Sequence, residues 1–265
     1  MRGLGFVLLS AGCAAWASPS PADGFPAVVR RVGGGEVDWT TLTLHVRSAS
    51  DLQVGAWKDR RMQEQDALDR LKPRVAAAAR AVPVDPSTTM GDRLDGGAEL
   101  ALALEDGLGR WRIEETRYRA DAGGVEMAAR LDLREWVRPV LDAAGAPTPP
   151  AVLPPDGPTG LVVDARGTDF EPCVLPEISV QDGPPVLSGA LVSAEALRRQ
   201  TPAAYLGDPA DPRGWARAGD TPLFLTVIDA RGCRLLLPPG DAAGMNAAVP
   251  ALVSAGRVLI VADPR

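Results

Sequence analysis

One histidine, His45, is the entire imidazole supply of this 265-residue chain, and it bounds the chemistry the protein can perform. A Ser-His-Asp triad has to pass through this single residue, and a histidine-rich zinc or iron site cannot be assembled. A cysteine nucleophile would have only His45 as its base. Carboxylates that stand side by side, such as Glu114 and Glu115, point to opposite faces of a strand and so do not share acid-base work. The run Gly33-Gly34-Gly35 leads into a strand, whereas a phosphate cradle needs glycines leading into a helix N-terminus; it reads as a linker. No catalytic, cofactor-binding or metal-ligating residue is assigned.

Asp164 and Arg166 are the residues singled out for a contact role. They end an apolar strand, Val162-Val163-Asp164, and precede Gly167. That strand is similar to the opening strand of cell-wall amidases, which carry zinc ligands just after it, but those enzymes need a histidine there and this chain has none. The local role is a turn in which Asp164 caps backbone donors and Gly167 supplies a permissive backbone angle. The functional role is a contact surface for a partner in the cell envelope. The hexapeptide recurs almost unchanged as Val227-Ile228-Asp229-Ala230-Arg231-Gly232, but its flanks do not match. Two strands ending in similar turns is therefore the better reading than duplication.

Charge argues against a nucleic-acid partner: 28 basic and 34 acidic side chains leave a net charge of -6. Lysine occurs only at Lys58 and Lys72, so nearly all positive charge is arginine, a compositional habit more than a binding signature.

The N-terminus reads as an export signal over residues 1–17: Arg2, an apolar run from Leu4 to Leu9, then small residues. Ala15-Trp16-Ala17 permits cleavage before Ser18. Alternatively, Leu9-Ser10-Ala11-Gly12-Cys13 is an irregular lipobox that would place a lipid on Cys13 and attach the chain to a membrane. Either form is exported, to the periplasm or the outer membrane. After cleavage before Ser18, Cys173 and Cys233 are the remaining thiols, and an even pair in an oxidising compartment invites a disulfide. Two small buried thiols would be the alternative.

Periodicity places the elements that position these residues. Residues 18–34 read as flexible and 37–46 as a strand with His45 on its polar face. A long amphipathic helix follows over 57–82, which Pro73 should kink or divide. Residues 85–97 are turn-rich, and 98–104 read as a strand or a short helix. Residues 109–119 and 125–133 form a hairpin closed by 121–124, and 133–144 return to helical spacing. Six prolines within 147–158 mark a linker. Strands are expected at 159–164, 185–193, 221–229 and 257–263, with helices at 193–200 and 241–255. The class is α+β: two small α+β halves, 35–146 and 159–265, with antiparallel or mixed sheets and helices packed on one face.

The stretch Thr159-Gly160-Leu161-Val162-Val163-Asp164-Ala165-Arg166-Gly167, continued by Phe170-Glu171-Pro172-Cys173-Val174-Leu175-Pro176-Glu177-Ile178, resembles a family of exported bacterial proteins. These are related to the lipoprotein-twenty group and to the N-terminal domain of flagellar assembly protein T. Gly219-Asp220-Thr221-Pro222-Leu223 and the closing segment Ala255-Gly256-Arg257-Val258-Leu259-Ile260-Val261-Ala262-Asp263 extend the resemblance, and Asp38-Trp39-Thr40 resembles the first domain as a pattern. Cys173 departs from the small non-cysteine residue usual in that pattern. The resemblance implies a cell-envelope protein in a flagellar or surface-assembly context, with no catalytic residues to transfer. The expectation is an exported, non-catalytic interaction or assembly protein with an envelope protein as partner and no cofactor. The alternative is a periplasmic hydrolase or small-ligand binder using carboxylates and arginines in a cleft between the halves.

Overall fold

The computed structural model describes residues 24–50, 60–119, 124–147, 149, 151–153, 155–239 and 248–264. The export signal with Cys13, the start of the long helix at Trp57, most of the 121–124 turn and parts of the proline-rich and 241–255 segments lie outside them.

Five strands form the first sheet: β1 (Val29–Val32), β2 (Gly35–Asp38), β3 (Thr43–Ala49), β4 (Arg112–Tyr118) and β5 (Val125–Asp132). Their order is β1-β2-β3-β5-β4, antiparallel throughout. Two expectations are corrected here. Residues 29–32 are not flexible, because β1 pairs with β2 along its whole length. The strand expected over 37–46 is two strands, split by a turn in which Asp38 Oδ1 accepts the amides of Thr40 and Thr41 at 2.9 and 3.1 Å. Leu42 completes that turn with a left-handed φ of 55°. The β4–β5 hairpin forms as expected.

Helix α1 (Arg60–Arg80) lies across β3 and β5 and buries Ala67, Leu71, Val75, Ala78 and Ala79. These fall at three- and four-residue spacing, so they line one face. Pro73 does not divide the helix. The turn-rich stretch contains a short helix, α2 (Met90–Asp95), opened by a capping box between Thr89 and Asp92. Helix α3 (Ala98–Leu108) resolves the strand-or-helix ambiguity. Residues 133–144 form two helices, α4 (Leu133–Trp136) and α5 (Arg138–Ala144), the second opened by a proline in its first turn.

The C-terminal half holds two further sheets. One is wholly parallel, in the order β10-β6-β13-β9, built from β6 (Leu161–Asp164), β9 (Ala203–Leu206), β10 (Leu223–Thr226) and β13 (Val258–Val261). The other is mixed, in the order β11-β12-β7-β8, from β7 (Glu177–Val180), β8 (Pro185–Leu187), β11 (Asp229–Arg231) and β12 (Arg234–Leu237). Helices α6 (Ala194–Arg199) and α8 (Val249–Ser254) connect the two sheets, and α7 (Pro212–Ala218) joins β9 to β10 within the parallel one. The class is α+β. The central strands β6 and β13 read Leu-Val-Val-Asp and Val-Leu-Ile-Val and are apolar without alternation because both of their faces are covered.

On one of those faces, α7 lies over Leu206 and Leu259, and Gly214 is the point of closest approach. Phe224, which pairs in register with Val162 on that same face, is left 64% exposed.

The strand expected over 185–193 ends at Leu187. Gly189–Leu191 then makes one 3-10 turn before Ser193 caps α6 by accepting the Ala196 amide. The two near-identical hexapeptides have different structures. Asp164 ends β6, whereas Asp229 and Arg231 lie within β11, whose hairpin to β12 turns at Gly232 with φ 58°.

A contiguous hydrophobic core runs through both halves, from Val37 and Leu44 to Val163 and Ile260. Backbone bonds also join them: the Ala146 amide donates to Val192, the Ala194 amide to Ala146, and the amides of Val174 and Leu175 to Pro83 and Val84.

Candidate functional site

Four parallel strands bring their carboxyl ends to one edge of a sheet, the place where open α/β sheets present ligand-contacting loops. Asp164 sits at the end of β6 on that edge, and its carboxylate holds Arg166 in a two-point pair: Nε to Oδ1 at 2.8 Å and Nη2 to Oδ2 at 2.6 Å. The Arg166 amide also donates to Oδ1, at 3.2 Å. The Arg166 guanidinium pulls the Asp164 carboxyl below the usual carboxylate range against an opposing effect of burial, and Asp164 in turn raises Arg166.

Asp208 and Asp263, at the ends of β9 and β13, add negative charge around the same guanidinium. Asp263 Oδ2 accepts the Gly167 amide at 2.8 Å, where Gly167 has the left-handed φ of 74° that the Asp-x-Arg-Gly turn needs. Arg30 at β1 closes the cluster, donating to the Asp263 carbonyl at 3.1 Å and pairing with Glu171 at 3.1 Å. Asp208, Asp263 and Arg30 escaped the sequence reading because their proximity depends on strand order. The Asp164 and Arg166 side chains are paired with each other, so this edge is a charged, open surface with a dyad held ionised. Among the described residues no three His, Cys, Asp or Glu side chains are grouped so as to hold a metal.

His45 lies on the polar face of β3, as its alternation implies, and its Nδ1 is 3.1 Å from Glu114 Oε2. This is a histidine-carboxylate pair reached across β5. No hydroxyl or thiol among the described residues hydrogen-bonds the ring. Glu115 turns to Arg117, so the adjacent carboxylates take separate partners.

Cys173 and Cys233 form a disulfide, with Cα atoms 5.8 Å apart and both residues buried. It ties the crossover after β6 to the β11–β12 hairpin. Around it, the Glu171 amide donates to Gly232 and the Glu177 amide to Cys233.

A cleft of about 180 Å³ opens where the two halves meet, between Trp39, Leu42 and Leu141 on one side and Thr201 and Ala203 on the other. Four arginines line it: Arg134, Arg138, Arg199 and Arg217. The sequence led us to expect carboxylates and arginines here; the described lining contains arginines and no Asp or Glu. The reason is topological, since α4, α5 and α7 bring Arg134, Arg138 and Arg217 to the junction and α6 brings Arg199, whose partner Glu195 is not part of the lining. Two clefts on the first sheet combine both signs. One sets Glu115 and Glu126 among Arg47, Arg74 and Arg117, and the other sets Asp132 and Glu135 among Arg110, Arg112 and Arg130.

Residues 160–264 match the family model described as Treponema pallidum Tp0624, second domain. No curated protein matches the chain.

Proposed function

We propose that this protein is an exported, non-catalytic interaction or assembly component of the bacterial cell envelope, and that it meets its partner along the β6–β10 edge of the parallel sheet. The observation that carries this reading is the exposure of Phe224 (64%) on an edge strand and Ile228 (49%) just after it. Large apolar side chains clustered with an arginine-carboxylate pair have the composition of an interface centre with a charged rim. Asp164 stands next to Thr226 in register, two positions along from the Val162–Phe224 pair, so the Asp164–Arg166 pair and Phe224 share one face of the sheet.

The disulfide supports an oxidising compartment, and residues 1–17 supply the export signal, with either Ser18 or a lipid-bearing Cys13 as the mature N-terminus. The resemblance of 159–178 to proteins related to the lipoprotein-twenty group and flagellar assembly protein T favours a surface or flagellar assembly context. Purification of the tagged full chain from crosslinked envelopes is expected to recover a stoichiometric protein partner, and Phe224→Ser together with Arg166→Ala should abolish its capture. Recovery of the same partner by that double variant would overturn the assignment of the surface.

A further inference from the structure

The cleft between the halves concentrates positive charge, with four arginines and no Asp or Glu in its described lining. Arg217 donates to the backbone carbonyls of Thr201 and Val258, and Arg138 donates to that of Leu197. Carbonyls orient a guanidinium but do not neutralise it. Arg134 has no ion pair among the described residues, and only Arg199 has a carboxylate partner, the exposed Glu195. Burial without a compensating carboxylate pulls the Arg217 guanidinium down to about 9, which leaves it cationic at neutral pH. Trp39, part of the same wall and 1% exposed, carries an indole N–H with no acceptor. The cleft thus offers several donors where acceptors are scarce.

We propose that this cleft binds a small oxyanion, a carboxylate or phosphate group on a compact ligand. Guanidinium forks match the paired oxygens of both groups, and a site partly removed from water strengthens the match. The volume, about 180 Å³, lies below the roughly 300–1,000 Å³ of drug-sized pockets. That excludes extended ligands from full enclosure. Leu42 and Leu141 provide an apolar wall for a short carbon body. This site is separate from the β6–β10 edge, so loss of partner capture there leaves anion binding intact.

The test is calorimetric titration and thermal unfolding of the full chain with sodium phosphate and with sodium succinate, against sodium chloride at matched ionic strength. One of the two oxyanions is expected to bind saturably and raise the Tm, and the arm that responds identifies the group. Arg134→Gln should weaken that binding at least tenfold. This side chain is exposed and unpaired, so the variant leaves the unliganded Tm in place. Arg231→Gln, whose side chain is 89% exposed outside the cleft, should bind as the wild type does. Responses equal to those of chloride, or equal in Arg134→Gln and wild type, would overturn the proposal.

Discussion

Tyr205 and Cys173 hold each other in both directions: the phenol donates to the Cys173 carbonyl at 2.6 Å and accepts the Cys173 amide at 3.4 Å. Tyr205 belongs to β9 and is 2% exposed, and burial pushes its hydroxyl pKa up, outweighing the hydrogen bond from the Cys173 backbone. Its ring meets Trp39 of the first half edge-on, with centroids 5.7 Å apart, and lies 6.1 Å from Phe170. One side chain therefore links the disulfide-bearing crossover, the parallel sheet and the first half. Replacing Tyr205 with Phe keeps the packing but strands two buried backbone groups, which should cost about 1–3 kcal/mol. Urea denaturation at neutral pH measures it, and a loss below about 0.5 kcal/mol would show that the clamp is not structural.

The disulfide joins residues 60 positions apart in sequence, for which chain entropy gives a stabilisation of about 4 kcal/mol. A Cys173→Ser, Cys233→Ser double variant is expected to lose about 2–5 kcal/mol. Wild type in reductant should move toward the same denaturation midpoint, while the double variant stays insensitive to reductant.

Gly160 precedes β6 at its contact with the end of α7. A Cβ there would sit 2.4 Å from the Ala218 backbone, while Thr159 Oγ1 already donates to the Ala218 carbonyl at 2.7 Å. Gly160→Ala should therefore destabilise the chain by about 1–3 kcal/mol, read as a fall in Tm. An unchanged Tm would mean that the α7–β6 contact yields without strain.

Asp85 should govern part of the acid stability. Burial would raise its carboxyl, but hydrogen bonds from the Thr88 hydroxyl, the Ser87 amide and hydroxyl and the Arg93 guanidinium outweigh that and bring it down from 3.8 to about 2. A lowered folded-state value means that the contribution is complete above the unfolded value, near 3.8, and is lost as pH falls through about 2. At pH 7 it amounts to about 2 kcal/mol. Asp85→Asn should be less stable than wild type by about that amount at neutral pH, with the gap narrowing below pH 4. Equal stability at pH 7, or a gap that widens in acid, is the contrary outcome.

Asp164→Ala, by contrast, should change stability by less than about 1 kcal/mol, because the pair it breaks is substantially exposed to water. If the β6–β10 edge is the contact surface, the same variant reduces partner capture at unchanged Tm. A large fall in Tm would instead make the Asp164–Arg166 pair a turn stabiliser.

Several elements were legible from spacing alone. The β4–β5 hairpin followed from strict alternation at Val125, Met127, Ala129, Leu131 and Leu133, all of which are buried. Helix α1 followed from the stripe through Leu71, Val75 and Ala78, and α6 from Ser193. Strand β1 was missed because it sits beside Gly33 and Gly34, whose left-handed φ values of 55° and 86° build the β1–β2 turn but look like a linker in one dimension. Strands β7, β9 and β12, four residues each, lie outside the strands expected from the sequence.

What the sequence by itself determined is the α+β class, the position of His45 on a polar strand face, the thiol pair available for bridging, and the turn at Asp164–Gly167. These depend on local spacing and residue chemistry. Only the tertiary structure decided that four strands run parallel, that Asp208 and Asp263 gather around Arg166, and that Arg134, Arg138, Arg199 and Arg217 face one cleft. Such groupings arise from strand order and helix docking, which bring distant residues together and leave no periodic trace along the chain.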